Sequence, residues 1–397
     1  MTLSTPITGG EAARTRAMQS PIIPIVGGLA RSTPGTISLG QGVVFYGPPP
    51  QALESLASFV PVAGNHLYGP VDGSPELQEE IRKKLAADNG IRLADGQRVV
   101  VTAGGNMAFM NAISAIVDPG DEVILPLPYY FNHEMAVTMV GGRVVTVPTG
   151  EDYQLDPEVV ARAITERTRA VVTVSPNNPT GAVYREEVLR AINRLCRERG
   201  VYHISDEAYE YFVYDGASHF SPGSIEGSEE YTISLFSLSK AYGFASWRIG
   251  YMVVPEHLWM AIRKVQDTVL ICPPLVSQHV AAAALRVGAA YPREQLREIA
   301  RARRAVLDQL RAVESFCTVI PTEGAFYLLL RVDLSQDPVA LVERLIKEHR
   351  VAVIPGTTFG LEDGCYLRLS YGALRVAEVE EGVGRFVRGL SAIAAER

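Results

Sequence analysis

The chain has 397 residues, 47% of them hydrophobic and 20% charged, with a formal net charge of −7. That length exceeds one comfortable core, so two lobes are expected, and the composition is that of a folded globular protein rather than a disordered one. The acidic balance argues against nucleic acid as a partner, and no apolar run approaches the roughly 20 residues of a membrane span. The four cysteines (Cys196, Cys272, Cys317, Cys365) are far apart and form no Cys-x-x-Cys pair. They suggest neither a disulfide framework nor a zinc site, and they fit a reducing cytosol. The start of the chain carries Glu11 and no apolar stretch of signal-peptide type, so a cytoplasmic protein is expected.

Residues 1–20 are small and polar and read as an arm; 21–30 is apolar but short and interrupted by prolines. A strand-like run at 37–43 is broken by Gly40 and Gly42 and leads to Pro48-Pro49-Pro50. Gly42 either lets the backbone approach a ligand or simply makes a turn. After a turn-rich loop at 68–73, Ser74 reads as a helix N-cap with Pro75 behind it, and Leu77, Ile81 and Leu85 share one helical face. The strand 99–102 runs through Ala103-Gly104-Gly105-Asn106 into a helix over 107–117. A strand, a Gly-Gly turn and a helix N-terminus offer free N–H groups and a positive helix end to an anion. A tight strand-to-helix turn without ligand explains the same two glycines.

The alternation continues with apolar strands at 123–125, 144–147, 170–174, 201–205, 231–236 and 249–254, and with helices from Asp156-Pro157 and over 185–199. Continuous apolar strands alternating with helices predict an α/β fold: a mostly parallel sheet covered on both faces, with ligands at the carboxyl ends of its strands. The loops 104–106, 129–132, 175–181, 206–209 and 237–248 all fall at that end. Long helices follow at 256–268, 276–287 and 293–313. A smaller α/β unit closes the chain, with strands at 325–330 and 366–370 and helices near 338–349 and 377–390. The expected division is an arm and part of the small domain in 1–49, a large domain in 50–288, and a small domain in 289–397.

Lys240 stands out. It is the only lysine between Lys84 and Lys264, and it sits in a Ser/Gly/aromatic loop between two apolar strands. Most lysines snorkel to water or pair with an acid. A lysine in this setting reads instead as one that forms a covalent Schiff base.

Ser175-Pro176-Asn177-Asn178-Pro179-Thr180-Gly181, Asp206-Glu207-Ala208-Tyr209, Ser237-Leu238-Ser239-Lys240 followed by Arg248, and Arg368 occur in that order, the first three each after a strand. Together they make the chain, from about Ser38 to Tyr371, resemble the fold type I pyridoxal-phosphate enzymes, class I/II aminotransferases of the aspartate aminotransferase superfamily. The resemblance implies a seven-stranded-type, mostly parallel sheet in a large domain that binds pyridoxal 5'-phosphate. It also implies a smaller α/β domain built from the N- and C-terminal segments.

The resemblance assigns roles as well. Lys240 would hold the cofactor and move the proton. Asp206 would pair with the ring nitrogen, and Asn178 and Tyr209 would donate to the ring's 3-oxygen, although Asn178 also suits an Asx turn before Pro179. Ser237, Ser239, Arg248, Gly105 and Asn106 would grip the phosphate. Tyr130 would stack on the ring, with core packing as the competing account. Arg368 would clamp the substrate carboxylate, with Gly42 on the substrate side. Tyr68 would reach across to a second subunit, making a homodimer. Asn132 and His133 border the site with no step assigned.

The sequence also departs from aspartate-specific members of the family. Asn106 is neutral where some of them carry a basic residue, and 267–274 offers no arginine. This favours neutral or aromatic amino acids over aspartate; a mobile arginine such as Arg31 could still serve glutamate and 2-oxoglutarate. A C–S lyase, another lyase or an oxidase on the same fold is the nearest alternative activity. A regulator on this fold would need an N-terminal DNA-binding helix pair, for which the first 35 or so residues show no pattern. A dinucleotide-binding dehydrogenase would need a G-x-G-x-x-G after 99–102, which is absent.

Overall fold

Every residue of Thr232–Ser237 and of Gly250–Pro255 is buried. Strands without polar alternation need cover on both faces, and helices supply it here. The computed structural model describes residues 10–93 and 96–396. Its strands run, in chain order, β1 (Ile37–Ser38), β2 (Gln97–Thr102), β3 (Glu122–Leu127), β4 (Arg143–Pro148), β5 (Thr168–Val174), β6 (Tyr202–Asp206), β7 (Thr232–Ser237) and β8 (Gly250–Pro255). They continue as β9 (Cys317–Val319), β10 (Tyr327–Val332), β11 (Val351–Ala352), β12 (Ile354–Pro355) and β13 (Cys365–Ser370).

Strands β2 to β8 form a seven-stranded sheet in the order β2-β8-β7-β6-β5-β3-β4. All neighbours are parallel except β8, which runs against both β2 and β7. The fold is thus α/β with a mostly parallel sheet. Side chains alternate between its two faces as the pleat requires. Val99, Val101 and Val253 pack with Leu77, Ile81 and Val280 on one side, while Val100, Met252 and Leu235 pack with Phe109, Ile113 and Ile262 on the other.

The second unit holds the antiparallel sheet β12-β13-β10-β9, with helices Pro338–His349 and Val376–Ala394 supplying Leu345, Val383, Phe386 and Leu390 to its core. The N-terminal segment enters this core through Leu39, and β1 pairs in parallel with β11, Ile37 opposite Val351.

The arm expected over 1–20 is described only from Gly10, where Ala13–Ala17 is helical; residues 1–9 lie outside the described residues. The stretch 21–30, read as merely apolar, contains the helix Ile22–Ser32. Its prolines do not oppose this. Pro21 precedes the helix and Pro24 falls in the first turn, where the missing N–H has no helical partner to lose. The helix expected over 293–313 begins earlier, at Ala290, and ends at Leu310 before a 3₁₀ turn. Among the described residues no helix is long and apolar enough to cross a membrane, and the four cysteines are unpaired.

One glycine ties the N-terminal segment to the Lys240 loop. Gly243 has φ +69°, and a Cβ there would lie 2.5 Å from the carbonyl carbon and oxygen of Gly47. Neither backbone can yield cheaply. Gly243→Ala is expected to cost roughly 2–4 kcal/mol, read as a lower chemical-denaturation midpoint. An unchanged midpoint would contradict this contact.

Candidate active site

Asp206 ends β6, Ser237 ends β7, and the Asn178 loop follows β5, so three parallel neighbours deliver their side chains to one place. Ser237 caps the short helix Leu238–Ala241, its Oγ accepting from Ser239 N–H at 3.2 Å, and this turn aims Lys240 inward. Lys240 Nζ donates to the Gly42 carbonyl at 2.6 Å. The Tyr46 hydroxyl donates to the Lys240 carbonyl at 3.0 Å, so the N-terminal segment braces the lysine from both ends. Burial, reinforced by the Arg248 and Arg368 charges and opposed by Asp206, pulls the Lys240 amine down to about 8.

Asp206 is held on each carboxylate oxygen: Oδ1 accepts from Ala208 N–H at 3.1 Å, and Oδ2 stands 3.1 Å from His133 Nε2. His133 is itself fixed by Phe109, stacked at 3.9 Å, and by the edge of Tyr130 at 5.1 Å. The sequence assigned His133 no step. The structure makes it the residue that orients Asp206. A faint signal was available, because His133 falls one turn into the helix that begins beside Tyr130.

Arg368 is 1% exposed. It donates to Asn178 Oδ1 at 3.0 Å and to the Gly40 carbonyl at 2.7 Å, and its guanidinium lies over the rings of Tyr327 and Phe359, 4.6 and 5.1 Å from their centroids. Its Nε has no hydrogen-bond partner among the described residues. A buried guanidinium with a free donor and no carboxylate beside it calls for an anionic ligand.

A second anion position lies at the start of helix Gly105–Ile116. Gly104 has φ +83°, and any side chain there would strike the Arg248 guanidinium. Arg248 itself adopts a positive φ of 55° and donates to the carbonyls of Ala245, at 2.9 Å, and Ala103, at 3.1 Å. A cation placed at the positive end of a helix is unfavourable unless an anion lies between them. Ser239 Oγ lies 3.4 Å from Arg248 Nη1.

Gly105, Asn106, Tyr130, Asn178, Asp206, Tyr209, Ser237, Ser239, Lys240 and Arg248 line a single cavity of about 130 Å³. Tyr130 donates to Asn106 Oδ1 at 3.1 Å and accepts from Asn132 Nδ2 at 2.7 Å. Gly42 and Arg368 adjoin the cavity through their bonds to Lys240 and Asn178. Tyr68 does not join them within this chain; it is 80% exposed. Tyr327 reaches Tyr209, hydroxyl to hydroxyl, at 2.9 Å; the sequence marked it only as part of a buried strand.

The family described as aminotransferase class I and II matches residues 34–386. The chain belongs to the class I and II aminotransferases. It is 34% identical over 393 residues to an aromatic aminotransferase, ISS1, of Arabidopsis thaliana, covering 96% of each chain. It is 38% identical over 347 residues to an aspartate/prephenate aminotransferase of Thermus thermophilus, covering 86% of this chain and 88% of that one. Its structure is similar to that of a double mutant of Thermus thermophilus aspartate aminotransferase, with a TM-score of 0.87 at 35% identity, over 96% of this chain and 100% of the other. This aminotransferase therefore uses pyridoxal 5'-phosphate and acts on amino acids and 2-oxo acids. The donor set fits that cofactor: an unshielded cation at a helix N-terminus for a phosphate, a carboxylate held by His133 for a ring nitrogen, and a depressed amine for an aldehyde carbon.

Only the neutral amine attacks an aldehyde, so the lowered value sets the pH at which the protein without cofactor captures it. Capture of pyridoxal phosphate should accelerate with pH to a half-maximum near 8. An ordinary lysine, with its value of 10.5, would still be gaining rate at pH 10. Stopped-flow absorbance on the stripped protein separates the two.

Proposed function

We propose that this enzyme transfers the amino group of neutral or aromatic L-amino acids to a 2-oxo acid by alternating half-reactions, with Lys240 as its covalent and proton-moving residue. When bound, the cofactor's ring accepts the electron pair left as the substrate's Cα–H bond breaks. Lys240 Nζ would hold the cofactor's aldehyde carbon and, as a free amine, would take that proton. Asp206, oriented by His133, keeps the ring nitrogen protonated. Asn178 and Tyr209 would donate to the ring's 3-oxygen, and Tyr130 would stack on the ring. Gly105, Asn106, Ser237, Ser239 and Arg248 hold the phosphate. Arg368 would take the substrate α-carboxylate at two points, on the side of the site where Gly42 lies.

The observation that carries the substrate preference is Asn106. It is neutral, and its Oδ1 is occupied by the Tyr130 hydroxyl, so no cation waits there for a second carboxylate. Tyr68, Leu67, Val60, Val62, Val269 and Ile271 are all exposed, and Ile271 holds a positive φ of 67°, rare for a β-branched side chain. Such apolar exposure supports a homodimer in which Tyr68 reaches the partner's phosphate and 269–271 lends apolar surface to the partner's substrate pocket. Arg31 is the candidate to meet glutamate's distal carboxylate. It lies exposed on helix Ile22–Ser32, its Nη1 3.4 Å from where a Gly27 Cβ would be, with Gln41 Nε2 3.7 Å from that same point. The thiols, three of them buried, support a cytoplasmic setting.

A donor screen with 2-oxo acid acceptors tests the reading. Phenylalanine or another neutral donor should exceed aspartate in kcat/KM, and Asn106→Lys should raise the aspartate value at least about tenfold. Lys240→Ala should lose at least about a thousandfold in turnover. A parent enzyme that prefers aspartate would overturn the preference, and ammonia or thiol release without a new amino acid would favour a lyase.

A further inference from the structure

The hydrogen-bond accounting around Tyr209 does not close with Asn178 alone. The Tyr209 side chain is buried and lines the cavity, and two side-chain groups reach its hydroxyl: Asn178 Nδ2 at 3.4 Å and the Tyr327 hydroxyl at 2.9 Å. A phenol has one proton to give and two lone pairs to receive. If Tyr209 is to donate toward the cavity, it has to accept from Tyr327, and Tyr327 has no other hydrogen-bond acceptor among the described residues. We propose that Tyr327 is a positioning residue for the transamination site: its hydroxyl donates to Tyr209 and so turns the Tyr209 proton toward the cofactor's ring oxygen.

The surroundings of Tyr327 are built for this. It is fully buried at the start of β10, where Leu329 is paired with Arg368 on β13, so Tyr327 lies diagonally beside Arg368 on the same sheet face. The Arg368 guanidinium covers its ring at 4.6 Å, and the ring of Phe326 flanks it at 4.7 Å. These contacts leave the hydroxyl pointing at Tyr209. Gly42 makes room for it, because a Cβ at that position would come within 2.7 Å of the Tyr327 oxygen. The close-approach glycine of the N-terminal segment therefore serves two neighbours. Its carbonyl holds Lys240, and its missing side chain admits Tyr327. The Arg368 cation over the ring makes the phenol a better donor, and a hydroxyl that accepts one hydrogen bond donates a stronger one.

The inference rests on Tyr209 donating to the ring's 3-oxygen, and the test separates the two claims. The readout is the midpoint, against pH, of the visible absorbance change of the cofactor-loaded enzyme. A donor that stabilises the ring oxygen's negative charge lowers that midpoint. Tyr327→Phe deletes one oxygen and keeps the ring; it should raise the midpoint by roughly half a pH unit. A 3-fluorotyrosine at position 327, more acidic and thus the stronger donor, should lower it. In the Tyr209→Phe background, Tyr327→Phe should add nothing, because its effect passes through Tyr209. A midpoint unmoved by Tyr327→Phe, or moved equally with and without the Tyr209 hydroxyl, overturns the proposal. If Tyr209→Phe itself leaves the midpoint in place, the Tyr209 role fails instead. A Tyr327→Phe protein that does not fold leaves the opposite-sign shift of the fluorinated protein to decide.

Discussion

The site is organised by an imbalance of charge. Lys240, Arg248 and Arg368 all act on one enclosed space, and Asp206 is the carboxylate that opposes them there. Isolated cations are not tolerated in such a place, so one of two things has to give: a group loses its proton, or anions arrive. Both occur at different positions. The arginines cannot deprotonate, so Arg248 and Arg368 keep their charges and favour anionic ligands. The lysine can, and burial, with the neighbouring arginines adding to it, pushes it that way. The burial and positive charge that lower the amine also make the rest of the cavity attractive to anions.

The large sheet was legible because its strands are buried on both faces and read as unbroken apolar runs, each followed by a helix. The convergence of five loops at one sheet end followed from the parallel direction alone. What could not be read was the placement of β8 between β2 and β7, because antiparallel insertion leaves no mark on a strand already apolar throughout. That insertion nonetheless sets the site. It brings Gly250, which follows the Lys240 loop, beside Thr102, which leads into the Gly104 turn.

Side chains that act at one remove were the hardest to see. Lys240 announces itself by being a charge in the wrong place, and Arg368 by interrupting an apolar strand. His133 and Tyr327 carry no such contradiction. A histidine on a helix and a tyrosine in a buried strand are ordinary residues until Asp206 and Tyr209 stand next to them. Helix Ile22–Ser32 was obscured for a related reason: prolines in a first turn look like breakers when the start of the helix is not known.

Residues 40–42 explain why the two units act on one site. The Gly40 carbonyl takes Arg368 Nη2, the Gln41 carbonyl takes the Ser370 hydroxyl, and the Gly42 carbonyl takes Lys240 Nζ. Three successive carbonyls thus bind Arg368, a serine two residues along its strand, and Lys240. The lysine and the arginine, which lie 128 residues apart in sequence (368 − 240), are both hydrogen-bonded to this one run of three residues. Glycine at both ends of that segment is what allows the chain to pass close enough to serve them both.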